Sequence, residues 1–356
     1  MWDGRSDVQW LQGDAEFWAV GVRNNPANLG LLGARTGYGH RPPSDDAECA
    51  MTRSVEDMSS FGSTVRHACA VAVSDEHLWE LSSSFISAGI AAGEQVHYLD
   101  DGTSEHVMER LLDDGADLER MLHSGQFVVV PEESTRAALL SPLDQIAGIV
   151  EQAVDTALGS GFSGVRMTGQ LNHGVSRTNG ISMQEYDETL DKALVGRPAK
   201  ALCLYDRAHY PDDVIEHMRA VHRVEIESAT IYDDNLLRIT STGPGCARLA
   251  GEVDHSNRPQ VRKLLLGELD RALRSPASPH EIRLDVSSLR FTDVAGAVAV
   301  VHAAEEFPSS HKLVVEGVRP RVARVLDRCG APFAGQLVTI ARPDQEIPRL
   351  QVRVDA

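Results

Sequence analysis

Lysine and arginine are scarce in this chain relative to acidic residues. The 356 residues include 34 Lys and Arg against 52 Asp and Glu, which gives a formal net charge of −18 and a pI near 5.2. Binding along a nucleic-acid backbone requires clustered cations that neutralise phosphates, and no segment of this chain concentrates them. The composition therefore argues against direct binding of nucleic acid.

Long apolar runs are missing as well. No stretch of 18 or more apolar residues occurs, so the sequence predicts no transmembrane helix and no membrane partner. The first seven residues have neither the basic n-region nor the following apolar h-region of a signal peptide. We expect a cytoplasmic protein of two ordinary domains, given its length and its 42% hydrophobic and 24% charged residues.

Cysteine is rare, and no CxxC pair occurs. The five cysteines are Cys49, Cys69, Cys203, Cys246 and Cys329. We expect reduced thiols, no metal site and no cofactor. His67 precedes Cys69 by two residues, but an HxC motif without a second ligand pair is a weak metal signal. His217 and His222 miss the i, i+4 ligand spacing on their predicted helix, and together with His209 they are expected at the surface.

Motifs for nucleotide chemistry are also absent. A RecA-like ATPase needs a glycine-rich loop with a lysine between its first strand and first helix, whereas this chain has Ser74-Asp75-Glu76 there. Gly159, Gly161 and Gly164 spell GxGxxG, but this motif leaves a helix and enters a strand, the reverse of a dinucleotide fingerprint. We predict no ATP hydrolysis, and no catalytic constellation elsewhere indicates an enzyme.

From His67 onward, apolar strands alternate with helices, which predicts an α/β domain with a parallel sheet covered by helices. The predicted strands span 68–73, 95–99, 126–131, 165–168 and 201–205. Residues 1–60 show no sustained period, and we interpret them as a disordered extension or as residues upstream of a translation start at Met51.

Four segments of this α/β block resemble the MEDS sensory domain, a RecA-like or KaiC-like module of regulators from methanogens, methylotrophs and actinobacteria. They are His67-Ala-Cys69, Phe85 to Glu94, Gly161 to Gly169 and Ala201 to Arg207. The resemblance covers residues 67–226, and we predict a MEDS-like domain over 61–227. It implies a RecA/KaiC-like parallel sheet flanked by helices and the sensing of small hydrocarbon-derived ligands, without established catalysis.

Polar residues within or at the ends of the predicted strands are candidate ligand-binding groups. They are Arg166, Tyr205, Asp206 and Arg207. Open α/β sheets bind ligands at the carboxyl ends of their strands, and two arginines there could hold an anion. The alternative is that Arg166 and Asp206 pair with each other to satisfy a buried strand end.

A second unit follows, and its most informative segment is Asp285 to Gly296. Ile282, Leu284 and Val286 alternate with polar residues as in a half-buried strand, and Asp293 is the predicted N-cap of a helix. Residues 246–340, including Leu249 to Asp254, resemble the STAS domain of anti-sigma-factor antagonists. The resemblance implies a smaller α/β domain that binds a partner protein.

In that family, the turn Asp-Ser-Ser-Gly or Asp-Ser-Ala-Gly carries a serine that is phosphorylated by a partner kinase, which is also the anti-sigma factor. The corresponding residues here are Asp293, Val294, Ala295 and Gly296, so no hydroxyl is present. With Asp254, these four residues form the predicted partner-binding surface, and the implied partner is an anti-sigma factor of the histidine-kinase-like ATPase type. Thr292 is the nearest alternative phosphoacceptor, unless it is simply a turn hydroxyl.

The predicted boundaries are a linker or first STAS strand at 228–245, a STAS domain at 246–342 and a C-terminal tail at 343–356. The full prediction is a cytoplasmic signalling regulator whose MEDS domain senses a ligand and whose STAS domain binds an anti-sigma kinase without a phosphoswitch. The alternative is a small-molecule sensor whose STAS domain mediates formation of a homo-oligomer, without sigma-factor control.

Overall fold

The computed structural model of the chain describes residues 51–54, 65–170, 182–222, 224–274 and 280–343. These residues form two seven-stranded sheets, each covered by helices. No described helix combines the length and the hydropathy needed to cross a bilayer. Apart from the short strand at 51–54, the predicted N-terminal extension of residues 1–60 lies outside the described residues.

The first sheet contains seven parallel strands. In chain order these are β1 Met51–Ser54, β2 His67–Ala72, β3 Gln95–Leu99, β4 Phe127–Val130, β5 Val165–Gln170, β6 Ala199–Asp206 and β7 Val224–Glu227. Their order across the sheet is β1-β7-β2-β6-β5-β3-β4, and every pairing is parallel. The predicted parallel α/β architecture is confirmed.

Helices cover both faces of this sheet. They are α1 Asp75–Ala91, α2 Ser104–Asp113, α3 Leu118–His123, α4 Glu132–Leu139, α5 Leu143–Gly159, α6 Met183–Leu194 and α7 Asp212–Val221. In β2, Ala68 and Ala70 pack in the core that contains α1 and α2, whereas Cys69 and Val71 pack in the core that contains α5 and α6. A strand buried on both faces has no polar alternation, which is why it reads as a continuous apolar run.

The second sheet is mixed. Its strands are β8 Thr230–Asp233, β9 Leu237–Gly243, β10 Cys246–Val253, β11 Glu281–Asp285, β12 Leu289–Thr292, β13 Lys312–Val318 and β14 Leu337–Ala341. Its helices are α8 Arg258–Arg274, α9 Val294–Glu305 and α10 Pro320–Arg328. The order is β14-β13-β11-β10-β9-β8, and the short β12 continues beyond β11 as a parallel neighbour of β10. The predicted smaller α/β domain is confirmed, and β8 and β9 lie within the segment predicted as a linker or first strand.

A close backbone contact fixes the point where β10 changes partner from β11 to β12. Gly251 has φ +100°, and a Cβ atom there would lie 2.0 Å from the carbonyl oxygen of Leu236. Only glycine combines this backbone conformation with that approach. The register of β10 against β12 shifts at this residue, which aims the ends of both strands at the same edge.

The two domains meet through ion pairs between arginines of the second domain and acids of α1 and α2, together with Asp114, the residue that follows α2. The pairs are Arg238 with Glu80, Arg290 with Glu76, Arg319 with Glu109 and Asp113, Arg342 with Asp113, and Arg248 with Asp114. Arg238 is only 1% exposed, and its Nε donates to Oε2 of Glu80 over 2.8 Å. Its Nη1 also donates to Asp233 Oδ2 over 2.7 Å. The interface is therefore a buried network of charges.

Burial and pairing act in opposite directions on these acids. Burial raises the pKa of Glu76 and of Asp113 above the usual range, although neighbouring arginines act to lower both. Burial also acts to raise the pKa of Asp114, but Arg110 and Arg248 outweigh it and the net pKa is lowered. Charged Glu76 and Asp113 therefore oppose folding at neutral pH relative to their protonated forms, whereas charged Asp114 favours it.

Candidate functional site

The predicted partner-binding turn lies at the N-terminus of α9. Asp293 has an extended backbone, and its carboxylate accepts a hydrogen bond from the backbone N–H of Gly296 over 2.5 Å, so it caps the helix as predicted. Its own N–H donates to the carbonyl of Val253 over 3.0 Å, which ties the turn to the end of β10. Val294 is 66% exposed and Phe291 is 47% exposed. This helix end is therefore open to another protein.

Gly296 fits this turn because there is no room for a side chain. A Cβ atom would lie 2.7 Å from Thr292 Oγ1 and 2.7 Å from Val253 Cγ1. It would also lie 3.0 Å from the capping oxygen of Asp293. Glycine thus lets the first turn of α9 pack directly on the ends of β10 and β12.

The α9 helix is apolar around most of its circumference. Its sequence is Val-Ala-Gly-Ala-Val-Ala-Val-Val-His-Ala-Ala-Glu, with Ala297, Val301 and Ala304 buried against the sheet. The opposite side is only partly covered, because Ala295 and Val298 are half-buried. A helix without a polar outer face is normally buried, so the exposed end of this one indicates an interaction surface.

Asp254 stands beside this turn, at the end of β10. Its carboxylate accepts hydrogen bonds from the hydroxyl and the backbone N–H of Ser256, and these bonds lower the pKa of Asp254. The side chain remains 30% exposed. Because Asp293 is bonded to Val253, both acidic turns lie at the same edge of the sheet. The structure thus brings together all five residues of the predicted surface, but Gly296 itself is buried.

Thr292, the alternative phosphoacceptor, is turned inward. It is only 6% exposed, and its hydroxyl donates to the carbonyl of Asp293 over 3.3 Å. A kinase needs an accessible hydroxyl, so this conformation disfavours phosphorylation of Thr292 and favours its role as a turn hydroxyl.

The first domain contacts the strand that leads into this turn. In β12, Arg290 forms an ion pair with Glu76, and its guanidinium lies 5.1 Å from the ring centre of Trp79. Both partners belong to α1. Only Phe291 and Thr292 separate Arg290 from the capping Asp293, so a displacement of α1 would act directly on the turn.

The four predicted ligand-binding residues do not converge. Arg166 is buried at the amino end of β5, where it pairs with Glu94 and its guanidinium lies 5.0 Å from the Phe85 ring centre. The alternative prediction that Arg166 pairs with Asp206 is therefore wrong. Because β5 and β6 are parallel, Arg166 lies near the amino ends of the strands and Asp206 near the carboxyl ends. Glu94 compensates the buried charge of Arg166, and Lys200 also contacts Glu94.

The other three predicted ligand-binding residues lie near the carboxyl end of β6, each with its own partner. The buried Tyr205 hydroxyl donates to Asp187 Oδ2 over 2.7 Å. Asp206 Oδ2 lies 2.7 Å from His209 Nδ1, and the exposed Arg207 pairs with Asp212 over 3.0 Å. An anion held by two converging arginines is not supported by this arrangement.

A small apolar cavity lies between β5, β6 and the helices α5 and α6. Its volume is about 50 Å³, which exceeds the roughly 10–15 Å³ that a single water molecule needs. Its lining includes Leu139, Ile146, Met167, Tyr186 and Cys203. None of these residues was predicted as a ligand contact, because such a cavity arises from imperfect packing between elements distant in sequence.

A buried polar cluster adjoins this cavity, and the sequence pattern did not reveal it. Its members are His67, Asp187, Cys203 and His222. The expectation that His222 is a surface residue is wrong, since it is 2% exposed. His67 was paired in sequence with Cys69, but its Nε2 lies 3.3 Å from the sulfur of Cys203 on the neighbouring strand. Parallel pairing, not sequence spacing, creates the contact.

Comparison with protein families identifies both domains. Residues 66–223 match the model of the MEDS domain, described as the MEthanogen/methylotroph, DcmR Sensory domain, and residues 238–337 match the STAS domain. The chain is thus a two-domain α/β protein with a sensory and a regulatory module. In particular, it carries a MEDS domain followed by a STAS domain, in the predicted order.

Two solved structures resemble part of the chain. The flagellar accessory protein FlaH from Methanocaldococcus jannaschii is 11% identical, covers 58% of this chain and 87% of its own, and has a TM-score of 0.35. The KaiC-like protein PH0186 from Pyrococcus horikoshii OT3 is 13% identical, covers 49% and 78%, and has the same TM-score of 0.35. A comparison with curated proteins gives no match.

Proposed function

We propose that this protein is a ligand-responsive antagonist of an anti-sigma factor. Its STAS domain binds an anti-sigma factor of the histidine-kinase-like ATPase type through the surface formed by Asp254, Asp293, Val294, Ala295 and Gly296. The observation that carries the proposal is the open, apolar N-terminus of α9, where Val294 is 66% exposed.

The energetics of docking favour this surface. Burying the exposed parts of Val294 and Phe291 would contribute roughly 1–2 kcal/mol each at about 25 cal/mol per Å² of apolar surface. The carboxylate of Asp254 lies at the rim of the patch, where it can select a partner with complementary charge. A mostly apolar centre with a charged rim is typical of specific protein interfaces.

Control of this interface does not depend on phosphorylation of the turn. Val294 and Ala295 carry no hydroxyl, and Thr292 is buried. The protein therefore remains competent to bind its partner while the partner's kinase activity is on. Dissociation follows from competition by the sigma factor or from a change in the MEDS domain.

The contact between Arg290 and α1 supplies a route from sensor to partner surface. Ligand binding in the MEDS domain that shifts α1 changes the positions of Glu76 and Trp79, and hence of β12. Coupling requires that the ligand bind the two arrangements of α1 with different affinity. The linker predicted at 228–245 contributes through Arg238, which joins β9 to Glu80 of α1.

A binding experiment with a matched control tests the partner surface. The full chain, its Val294→Lys variant and its Val195→Lys variant are titrated calorimetrically with each histidine-kinase-like anti-sigma factor of the same cell. Val195 is also 66% exposed but lies in the MEDS domain. We expect at least one anti-sigma factor to bind the wild type and Val195→Lys equally, and Val294→Lys at least tenfold more weakly.

Equal binding by Val294→Lys and Val195→Lys would place the interface elsewhere, and binding to none of these anti-sigma factors would contradict the proposed partner class. Intact-mass measurement after incubation with ATP provides a second criterion. We expect no phosphate on residues 292–296 of the wild type.

Oligomerisation through the STAS domain is the second candidate function, and one observation favours it. Phe333 is 89% exposed and Ile340 is 46% exposed, and Ile340 lies on β14, at the edge of the second sheet. An edge strand with exposed apolar side chains can pair with a second copy. A stable oligomer by light scattering that Ile340→Lys dissociates, together with no anti-sigma binding, would favour this function.

A further inference from the structure

The MEDS domain contains a buried cluster whose chemistry does not depend on the proposed partner. His67 begins β2, Cys203 lies in β6, Asp187 lies in α6, and His222 follows α7. One potential ligand atom from each residue lies within 4.8 Å of all the others. Four separate elements, of which only β2 is distant in sequence, thus bring two imidazoles, a thiol and a carboxylate together.

Three of the six distances between these atoms match the edges of a tetrahedral metal site, and the other three are at most 4.8 Å. The Nε2 atoms of His67 and His222 are 3.2 Å apart, and His67 Nε2 is 3.3 Å from Cys203 Sγ. Cys203 Sγ is 3.7 Å from Asp187 Oδ1. Ligands at the usual zinc distances of about 2.0–2.3 Å stand about 3.3–3.7 Å from one another at tetrahedral angles. The three known distances therefore fit an ion placed among these atoms.

A hydrogen bond on its far side orients the His222 imidazole toward the centre of the cluster. His222 Nδ1 lies 2.9 Å from the carbonyl oxygen of Met218, which can only accept, so Nδ1 carries the proton and Nε2 carries the lone pair. His67 Nδ1 faces the carboxylate of Asp191 at 3.7 Å, which is too long for a hydrogen bond. The lone pair of His222 Nε2 then lies 3.2 Å from His67 Nε2, so a cation can occupy the place of the hydrogen that the two nitrogens would otherwise share.

The carboxylate is oriented in the same way and also calls for a cation. Asp187 is fully buried, with Oδ2 held by the Tyr205 hydroxyl at 2.7 Å and Oδ1 directed at the cluster. Within the described part of the chain, no lysine or arginine pairs with it. A buried charge needs compensation. A divalent ion with one thiolate, one carboxylate and two neutral imidazoles gives a site of zero net charge.

We propose that His67, Asp187, Cys203 and His222 bind a zinc ion in the core of the MEDS domain. Four protein ligands with no open position are typical of a structural zinc site. Hydrogen-bond partners on the outer side of metal ligands, here Met218 and Tyr205, are a regular feature of such sites. Since Cys203 also lines the apolar cavity, the ion would stabilise one wall of that cavity.

The neighbouring thiol provides a matched control. Cys69 lies directly beside Cys203 in the register of β2 and β6, is equally buried, and belongs to the same core, but it is not part of the cluster. The full chain is purified, dialysed against chelator and titrated with Zn²⁺ alone in competition with a chromophoric chelator. We expect one Zn²⁺ per chain for the wild type and for Cys69→Ala.

The ligand variants should lose this binding. Cys203→Ala and His222→Gln should raise the dissociation constant by more than about 100-fold, and Tyr205→Phe, which removes only an outer partner, by about 10-fold. Zn²⁺ should raise the melting temperature of the wild type and of Cys69→Ala, but not that of Cys203→Ala. If Cys203→Ala fails to fold, His222→Gln and the cobalt spectrum below decide.

Cobalt substitution reports on the ligands without any mutation. Co²⁺ added to the metal-free wild type should give the intense visible bands of tetrahedral coordination and a thiolate-to-cobalt charge-transfer band. Absence of stoichiometric Zn²⁺ binding by the wild type, absence of the thiolate band, or equal loss of affinity in Cys69→Ala would each overturn the proposal.

Discussion

The N-terminus of α1 in the first domain and the N-terminus of α9 in the second are capped alike but differ in solvent exposure. In each, a strand of the sheet is followed by a helix with a polar N-cap: Ser74 caps α1, and Asp293 caps α9. At α1 the helix end is covered, because Ser74 donates to Asp233 of the second domain and Glu76 pairs with Arg290. At α9 the end is open and Val294 is 66% exposed. The same type of N-cap therefore lies at an interdomain contact in one domain and at a candidate docking surface in the other. The interdomain contact is called the covered joint below, and it consists of Ser74, Glu76, His77, Glu80, Ser228, Asp233, Arg238 and Arg290.

What a helix N-terminus can bind thus depends on whether another part of the protein covers it, and not on its local sequence alone. The acidic turn at α1 stands where a RecA-like ATPase would hold phosphate, and here it holds an arginine of the adjoining domain. The prediction that this domain does not hydrolyse ATP stays a prediction, now supported by the occupied helix end.

The largest expected effect is the gain of a modification at the open helix end. Val294→Ser restores the Asp-Ser-Ala-Gly turn at an exposed position, so the cognate anti-sigma kinase should transfer one phosphate per chain, where the wild type takes none. The phosphate would gain free N–H donors and the positive end of the helix dipole.

Intact-mass and peptide mass measurements locate that phosphate. The covered Ser74 serves as the internal control and should stay unmodified, because it is buried against Asp233. Modification of Ser74, or none at residue 294, would contradict the contrast between the two ends.

Breaking the covered joint should have the next largest effect. Arg238→Ala leaves Glu80 and Asp233 buried without their cation, which should lower the free energy of unfolding by about 3–5 kcal/mol. Urea denaturation measures this loss. Arg274→Ala, which removes an exposed pair with Asp270, should leave the midpoint unchanged, and similar losses in the two variants would show that the joint is not specially stabilising.

Acid should weaken the covered joint through His77. Burial, reinforced by the charge of Arg238, lowers the pKa of His77 from 6.5 to about 4. The neutral ring accepts from the backbone N–H of Val73 and contacts the hydroxyl of Ser228. As the pH falls from 6.5 toward 4, the unfolded chain binds a proton that the folded chain excludes, so stability decreases by on the order of 2–3 kcal/mol.

Denaturation curves of the wild type and of His77→Gln across that pH range measure how much His77 contributes to the loss of stability in acid. The variant should show a shallower loss of stability on acidification. Parallel curves for the two proteins would mean that His77 does not couple the joint to pH.

The smallest expected effect concerns the cap of the open helix. Asp293→Ala removes the acceptor for the Gly296 N–H and should cost about 1 kcal/mol, whereas Asp293→Asn retains an acceptor and should change stability little. Thermal or urea unfolding checks both values. If Asp293→Asn loses as much stability as Asp293→Ala, the charge of Asp293, and not its hydrogen bond, stabilises the turn.

Regular periodicity made much of the fold predictable. The strand predicted over Gln95 to Leu99 coincides with β3, and the helix predicted after the N-cap Asp293 coincides with α9. Both signals are local, because a buried strand and an amphipathic helix carry their pattern within a few residues. The capping role of Asp293 was predictable for the same reason.

Contacts between distant segments were not predictable in this way. Arg166 finds Glu94 rather than Asp206, since parallel strands separate the amino end of β5 from the carboxyl end of β6. His222 was expected at the surface from its spacing to His217, but its burial depends on how α7 packs against β2. The side-chain pattern of one helix does not show which other helix or strand will pack against it.

By itself the amino-acid sequence determined the succession of two α/β domains, their MEDS and STAS character, and the presence of Val294 and Ala295, which carry no hydroxyl, after Asp293. Only the tertiary structure decided that the N-terminus of α1 is closed by Arg290, that the N-terminus of α9 is open, and that His67, Asp187, Cys203 and His222 meet. Secondary structure follows from patterns within one segment. Burial and ligand geometry depend on packing between segments that are more than a hundred residues apart.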